Sequence, residues 1–364
     1  MKRSFAGMAA VFLAAILLFP CKVHAVSAQS AIVMDAATGR ILYEKNADER
    51  SLIASTTKIM TALIICEQCN VLDRVRIPKQ AVGIEGSSMY LREGEVLTIQ
   101  DLLYGLMLRS GNDAAVALAI YCSGTVEGFA QLMNDKAHRL EMKDSHFVNP
   151  NGLDAPGHYS TARDMAVLAA YAMENPIFAQ TVSTKSVRVG ERLLQNHNKL
   201  LWQLEGAEGV KTGYTKAAGR ILVSSAKRQG RRLVAVTIND PSDWTDHAAL
   251  LNDGFSRYQL REILSKGEYL RSIEVESGQA DSVGIYAQES FSYPLSNAEE
   301  VKVILQEPGF TYAPVVAGES AGFAYILVDG NVIGRVPTYF GDTIEIRNEE
   351  KEPFWRKILG GDHA

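Results

Sequence analysis

The chain has 364 residues, of which 47% are hydrophobic and 22% are charged, and its formal net charge is −5. This composition is typical of a globular protein and excludes a disordered or collagen-like chain. The length predicts about two domains. A net negative charge without a stripe rich in lysine and arginine argues against a nucleic acid as partner.

Residues 1–25 have the pattern of a signal peptide. Two basic residues precede an apolar run over residues 5–19, and Val23-His24-Ala25 supplies small residues at the cleavage subsites. The run is too short for a comfortable membrane span, and the residue before Cys21 is not the small one that a lipoprotein signal needs. We therefore predict an exported, extracytoplasmic protein without a lipid anchor.

The hydrophobic pattern then predicts strands, a helical middle and a return to strands. A hairpin is expected over residues 31–35 and 41–44. Helices are expected over residues 55–66, from 98, over 112–121, over 126–140 and from 160. Strands are expected over residues 209–215, 220–226 and 232–238, followed by a helix over 248–265. This order, a sheet with a helical insert, predicts one α+β domain over residues 26–266.

After residue 266 the pattern changes to short strands. They are expected over residues 270–275, 283–286, 301–305, 325–328 and 332–336, with a turn at 329–331 between the last two. A small all-β domain over residues 267–347 and a charged tail over residues 348–364 are therefore predicted.

Neither cysteine nor histidine indicates a metal site. Removal of the signal peptide would leave Cys66, Cys69 and Cys122, an odd number that implies no disulfide framework. Cys66 and Cys69 have the spacing of half a zinc or redox site, but no second pair follows, so we interpret them as thiols near a helix end. The histidines include no H-x-x-x-H pair. We predict no metal and no other cofactor.

Ser55-Thr56-Thr57-Lys58 is an S-x-x-K motif at the expected start of a helix. Three positions make one helical turn, so the Ser55 hydroxyl and the Lys58 amine share a face. Lys58 can accept the proton of Ser55 if burial and a second cation lower its pKa. Taken alone, the motif is better explained by a capped helix start than by catalysis.

Two further motifs follow in order. Ser110-Gly111-Asn112 lies between two expected helices. Its hydroxyl and carboxamide could relay a proton and bind a substrate amide, although the segment alone is better explained as a turn with a helix cap. Lys211-Thr212-Gly213 lies in a strand pattern, and Gly213 leaves room for another backbone to approach. S-x-x-K, S-G-N and K-T-G in this order form the signature of serine penicillin-recognising enzymes.

The sequence resembles the exported D-alanyl-D-alanine carboxypeptidases, the low-molecular-mass penicillin-binding proteins. The resemblance is strong over residues 31–240 and weaker in the later β-rich segment. Besides the three motifs it is carried by residues 86–89, 133–134, 149–153, 157–164, 196–201 and 209–215. It implies a β-lactamase/transpeptidase-like catalytic domain, with an antiparallel sheet and a helical insert, followed by a small membrane-proximal β domain.

The resemblance also implies roles for the motif residues, and it implies that Thr212 holds the terminal carboxylate of the substrate. Some relatives have arginine at the position of His197, and since an uncharged histidine attracts a carboxylate less, His197 is left outside the predicted site. The remaining roles are Ser55 as nucleophile, Lys58 as general base, Ser110 and Asn112 as relay and positioning groups, Lys211 as electrostatic partner, and Gly213 and Tyr214 as substrate-binding residues, with the N–H groups of Ser55 and Tyr214 as oxyanion hole.

The implied reaction removes the terminal D-alanine from peptidoglycan stem peptides that end in D-Ala-D-Ala, in cell-wall synthesis, through a Ser55 acyl-enzyme that β-lactam antibiotics would block. In this family a C-terminal amphipathic helix often binds the membrane. Residues 353–359 offer aromatic and basic side chains over fewer than three turns, so the sequence leaves peripheral membrane contact through the tail open.

Three other functional interpretations fit the sequence less well than a carboxypeptidase. A β-lactamase of the same fold needs a glutamate to activate the deacylating water, and residues 149–154 contain none. A wall-binding module without turnover would have a damaged motif, and all three are intact. Residues 318–322 fit the G-x-S-x-G nucleophile motif, but the sequence after them predicts a strand where that motif requires a helix.

Overall fold

The computed structural model describes residues 26–348. The predicted signal peptide and nearly all of the predicted tail lie outside the described residues, so export and membrane contact of the tail stay predictions. The chain forms two compact units that divide between Phe255 and Ser256.

The first unit is built on an antiparallel sheet. The strands of the unit are β1 Ser30–Asp35, β2 Ile41–Lys45, β3 Arg74–Arg76, β4 Val96–Thr98, β5 Ser186–Val189, β6 Arg192–Gln195, β7 Ala207–Thr215, β8 Gly219–Arg228 and β9 Arg231–Ile238. Five of them form the main sheet in the order β2-β1-β9-β8-β7, and every neighbouring pair is antiparallel. Every residue of β1 is buried, as expected for an inner strand with both faces covered.

The helical insert lies between β2 and β7. The helices of the unit are α1 Lys58–Gln68, α2 Ile99–Leu108, α3 Asn112–Ser123, α4 Val126–Arg139, α5 Ala162–Ala172, α6 Pro176–Ser183, α7 Leu200–Gln203 and α8 Asp243–Arg257, with 3₁₀ turns at Ala54–Thr57 and Lys79–Ala81. The first nine residues of α1 are all buried, so this helix is the centre of the core.

Side-chain caps explain where several helices begin. Thr98 and Asp101 form a capping box at the start of α2, and Thr161 caps α5 through the N–H of Asp164. These caps confirm the helix starts predicted near residues 98 and 160. The predicted α+β domain with a helical insert is confirmed. Helix α6 and the β5–β6 hairpin were not predicted, because they consist of short segments with weak periodicity.

The second unit is all β. Its strands are β10 Gln259–Leu264, β11 Tyr269–Glu276, β12 Ser282–Ala287, β13 Phe291–Leu295, β14 Val301–Gln306, β15 Phe310–Tyr312, β16 Ser320–Val328 and β17 Asn331–Phe340. Six form a sheet in the order β14-β16-β17-β12-β11-β15, and β10 pairs with β13. Two small apolar clusters fill the unit, one around Ile285 and the other around Ile326.

The predicted helix over residues 248–265 is wrong in its second half. Helix α8 ends at Arg257, and Gln259–Leu264 forms a strand antiparallel to β13. Apolar residues at 260, 263 and 264 fit a helical face, but pairing with β13 overrides that local pattern. Because β10 belongs to the second unit, the division lies before residue 256 and not at the predicted position near 266. Ser320 opens β16, so no helix follows the G-x-S-x-G segment.

Within residues 26–348 no single helix has the length and apolar character needed to cross a membrane. Helices α3 and α4 reach the required length and composition together, but they are bent by 84° at the break between them.

Candidate active site

The predicted nucleophile lies in a tight turn and not in a continuous helix. Ser55 belongs to the 3₁₀ turn Ala54–Thr57, and α1 begins only at Lys58. Ala54 has a φ of 45°, a left-handed conformation that is costly for a non-glycine residue and common at functional sites. The turn is held by Thr57, whose hydroxyl lies 2.8 Å from Nε2 of His158. Nδ1 of His158 accepts the N–H of Val148, so Nε2 carries the proton and donates it to Thr57.

Lys58 lies at the centre of the site and is completely buried. Its Nζ is 3.0 Å from Oγ of Ser55, 2.7 Å from Oδ1 of Asn112 and 2.5 Å from the main-chain oxygen of Asn151. The two amide oxygens can only accept hydrogen bonds. A neutral amine has two N–H groups for these oxygens and one lone pair, which then faces the Ser55 hydroxyl.

Burial favours this neutral form of Lys58. It lowers the pKa of Lys58 well below the usual value, and the nearby charge of Lys211 lowers it further, while Asp113 acts in the opposite direction. Burial also lowers the pKa of Lys211, to about 7. Two buried amines in one site therefore make a deprotonated lysine accessible near neutral pH.

The S-G-N segment brings a hydroxyl and a carboxamide to the same place. Ser110 has a φ of 60°, and within the described part of the chain its buried Oγ has no hydrogen-bond partner. The amide of Asn112 is fixed in orientation because its Nδ2 donates to the main-chain oxygen of Glu85 at 2.5 Å. Its Oδ1 therefore faces Lys58. An unpaired hydroxyl in the wall of a cavity is available to a substrate.

Asp113 is a supporting residue that the sequence analysis missed. Its buried carboxylate accepts hydrogen bonds from the hydroxyl of Ser88 at 2.6 Å and from the N–H groups of Met89 and Leu91 at 3.1 and 3.0 Å. These bonds fix the loop that borders the cavity beside Ser87. The sequence did not distinguish Asp113 from an ordinary helix residue, because an acidic residue in the first turn of a helix is common.

The K-T-G segment lies on β7, directly against the nucleophile turn. A Cβ atom at Gly213 would lie 3.2 Å from the main-chain oxygen of Ile53 and 3.3 Å from the nitrogen of Thr56, so glycine permits this close approach. Lys211 is buried and donates to the main-chain oxygen of Thr212 at 2.8 Å. All three motifs thus meet at one site.

A cavity of about 570 Å³ opens over the motifs. Five of its residues belong to the predicted substrate-binding or catalytic set, namely Ser55, Ser110, Thr212, Gly213 and the exposed Tyr214. The other five lining residues were not predicted to belong to the site: Ser87, His197, Arg220, Asp243 and Trp244.

Arg220 brings a fixed cation to this cavity. Its Nη2 donates to both carboxylate oxygens of Asp243 at 2.7 and 2.8 Å, and its Nε donates at 3.1 Å. Its guanidinium carbon lies 5.9 Å from the ring centroid of Trp244. The side chain of Asp243 is 5% exposed and that of Arg220 is 44% exposed. Arg220 pairs with Tyr214 across the β7–β8 hairpin, so the register of the two predicted strands could have revealed it.

His197 was left outside the predicted site, yet the structure places it in the cavity wall. Its Nε2 lies 3.2 Å from Nη1 of Arg109, which can only donate, so Nε2 accepts and the neutral ring carries its proton on Nδ1. Burial lowers the pKa of His197, and the charges of Lys211 and Arg109 lower it further. As expected, His197 is not a cation for a substrate carboxylate.

A loop with a main-chain role completes the site. Asn151 contacts Lys58 through its carbonyl oxygen, so no side-chain motif could have identified it. Gly152 has a φ of 81°, and a Cβ there would lie 1.9 Å from the main-chain oxygen of Ala54. Only glycine fits this contact between the loop and the nucleophile turn.

The antiparallel sheet with its helical insert and the three motifs around one cavity define a transpeptidase-like, penicillin-binding fold. Residues 19–242 match the family described as D-alanyl-D-alanine carboxypeptidase, and residues 258–345 match the C-terminal domain of penicillin-binding protein 5. The chain belongs to the D-alanyl-D-alanine carboxypeptidase family.

Individual relatives agree with this assignment. The D-alanyl-D-alanine carboxypeptidase DacF of Bacillus subtilis is 32% identical over 326 residues, which cover 85% of this chain and 84% of the relative. Penicillin-binding protein 5 of Haemophilus influenzae superposes with a TM-score of 0.74 at 29% identity and covers 88% of this chain and 98% of its own. A DD-transpeptidase of Streptomyces is 34% identical with a TM-score of 0.61, over 64% of this chain and 98% of its own.

Proposed function

We propose that this carboxypeptidase is exported and removes the terminal D-alanine from peptidoglycan stem pentapeptides through an acyl-enzyme on Ser55. The observation that carries the proposal is the set of three partners around Nζ of Lys58. Two oxygens that can only accept bind its two N–H groups, and the third partner is the hydroxyl of Ser55. Lys58 can therefore take the Ser55 proton as the oxygen attacks the substrate carbonyl.

The negative charge that develops on the carbonyl oxygen needs donors that are already in place. We assign these to the main-chain N–H groups of Ser55 and Tyr214. Ser55 lies in the turn that leads into α1, and Tyr214 lies on β7, the edge strand of the main sheet. Helix starts and strand edges both have N–H groups that no regular structure uses. Such fixed donors stabilise the transition state more than the ground state.

The substrate must end in a free carboxylate in this proposal. Thr212 and Arg220 both line the cavity, and the buried Lys211 precedes Thr212 on β7. The hydroxyl of Thr212 and the guanidinium of Arg220 form a subsite for an anion. Lys211 adds positive charge to it while protonated, and His197 adds none. Asp243 and Trp244 hold the guanidinium of Arg220 in place, so less side-chain entropy is lost when a carboxylate binds.

Departure of D-alanine requires a proton on its amine. Lys58, protonated after the attack, is the source. We assign the relay of this proton to Ser110, whose hydroxyl lines the cavity and has no hydrogen-bond partner within the described residues. Lys58 then returns to its neutral form and can activate the water that releases the shortened peptide. Since β-lactams present the same carbonyl and carboxylate, they are expected to acylate Ser55.

Mass spectrometry after treatment with penicillin tests the proposal. A tryptic digest should carry the penicilloyl group on the peptide 51–58, with fragmentation placing it on Ser55, and the matched Ser55→Ala variant should carry none. D-alanine release from a pentapeptide should disappear in the same variant. An adduct at Ser320, or at any peptide other than 51–58, would overturn the assignment.

A further inference from the structure

Helices α1 and α3 run side by side in the same direction, from the active site to a pair of thiols. At their N-terminal ends Nζ of Lys58 contacts Oδ1 of Asn112 at 2.7 Å. At the other ends Sγ of Cys122 lies 3.6 Å from Oε1 of Gln68, the residue directly before Cys69. The thiols of Cys69 and Cys122 are close enough for each to shift the pKa of the other. Both helices thus span the same distance, roughly 15 Å at 1.5 Å per residue.

We propose that Cys69 and Cys122 form a disulfide when the chain meets a disulfide oxidant, and that this bond joins the ends of the two helices that carry Lys58 and Asn112. The cysteine count alone gave no reason to expect a bond. The pairing follows from the fold, because residues far apart in the sequence meet only when α1 and α3 pack together.

The geometry selects these two of the three described cysteines. Cys69 ends α1 and Cys122 lies near the end of α3, and both are partly exposed, so an oxidant can reach them. A hydrogen bond of 3.0 Å from the Tyr121 hydroxyl to Asp73 holds the following loop against α3. Side-chain rotation can then bring these neighbouring sulfur atoms to the bond length of about 2.05 Å. Cys66 is only 8% exposed, and burial raises its pKa to about 12.

The reaction is two successive thiol–disulfide exchanges with a low-molecular-mass disulfide. The interaction between the two thiols lowers the pKa of Cys122 and raises that of Cys69. Cys122 therefore loses its proton first and attacks the oxidant, forming a mixed disulfide and releasing one thiol. Cys69 then loses its proton, attacks the sulfur of Cys122 and releases the second thiol. The two cysteines lose two electrons, and the oxidant disulfide is reduced to two thiols.

Formation of the bond in the cell rests on the proposed export, because disulfides persist in oxidising compartments. The chemistry itself needs neither export nor catalysis and can be tested on the purified chain. The closed loop would contain α2 and the S-G-N segment, so the bond would restrict the unfolded chain around the site. A loop of about 50 residues is expected to raise the Tm by roughly 5 to 10 °C.

The test uses the full chain with Cys21→Ser, reduced and then incubated with oxidised glutathione at neutral pH. The intact mass should fall by two hydrogen atoms, without a glutathione adduct, and dithiothreitol should reverse the change. A protease specific for glutamate cuts after Glu67 and so separates Cys66 from Cys69. The non-reduced digest should join the peptides of Cys69 and Cys122, and the oxidised chain should show the higher Tm.

Variants of each cysteine provide matched controls. Cys66→Ser should still form the bond, whereas Cys69→Ser and Cys122→Ser should each end as a stable glutathione adduct on the remaining thiol. Glutathione on both Cys69 and Cys122 without a bridge would overturn the proposal, and so would a bridge that contains Cys66. Loss of carboxypeptidase activity would leave these readouts unchanged, so failure of the proposed function and failure of the disulfide remain distinguishable.

Discussion

Replacing Arg220 tests whether the active site recognises a carboxylate. Arg220→Gln removes the cation from the cavity but keeps an amide that can still donate to Asp243. In the described part of the chain Nη1 of Arg220 has no hydrogen-bond partner, while Nε and Nη2 are occupied by Asp243. The substrate carboxylate is therefore expected to bind Nη1.

The exposure of the arginine sets the size of the effect. A hydrogen bond to a charged group contributes about 1.5 to 3 kcal/mol when it is buried. Since the Arg220 side chain is 44% exposed, solvent weakens this contribution, and about 1 to 2 kcal/mol is expected. That free energy corresponds to a fall of roughly 5- to 30-fold in kcat/KM.

The assay compares a peptide that ends in D-Ala-D-Ala with its C-terminal amide. Arg220→Gln should lower kcat/KM for the acid and leave the amide nearly unchanged, and Arg220→Lys should recover part of the loss. Damage to the fold would lower both rates, so the amide is an internal control. Equal losses for acid and amide, or equal rates for the two in the unmodified enzyme, would refute carboxylate recognition.

Three further predictions concern the base, the second unit and the buried histidines. Lys58→Met should lower the rate of Ser55 acylation by about 10² to 10⁴-fold, and normal acylation of a folded variant would contradict the role as base. A chain that ends at Arg257 should still be acylated by penicillin, because all three motifs lie in the first compact unit; a folded but unreactive product would disprove this. Burial lowers the pKa of His158 to about 4 and that of His247 to about 3. Between these values and the ordinary histidine pKa of about 6.5, the unfolded chain binds more protons than the folded chain. The free energy of unfolding, measured by urea titration, should therefore fall by about 2 kcal/mol per histidine from pH 7 to pH 5. In His247→Gln, which keeps only one of the two histidines, the total fall should be about half that of the unmodified chain.

The sequence was sufficient to identify the three motifs because each depends on local structure. S-x-x-K needs one helical turn, S-G-N needs a break between helices, and K-T-G needs a strand. The structure shows all three in those settings, with the 3₁₀ turn at Ser55 as the one local difference. Motif order then indicated the family, and the family implied the fold.

The groups that were missed depend on tertiary structure. Arg220 reaches the cavity through the register of a hairpin, and Asn151 contributes a carbonyl that every residue possesses. The pairing of Cys69 with Cys122 requires the parallel packing of two helices. The strand Gln259–Leu264 was taken for helix because only its partner strand, 30 residues further along the chain, decides between the two forms.

The loop around Gly152 bears on the choice between a carboxypeptidase and a β-lactamase. Its main chain packs so closely against Ala54 that a Cβ atom would lie 1.9 Å from the carbonyl oxygen, and it offers Lys58 a carbonyl in place of a carboxylate. This part of the site therefore has neither the glutamate that a β-lactamase uses to activate water nor room at Gly152 for its side chain. Under the proposed mechanism Lys58 must serve both acylation and deacylation. A penicilloyl group keeps its leaving group attached beside Ser55, where it obstructs the water that Lys58 would activate. The site should therefore hydrolyse the peptidyl acyl-enzyme rapidly and the penicilloyl-enzyme slowly.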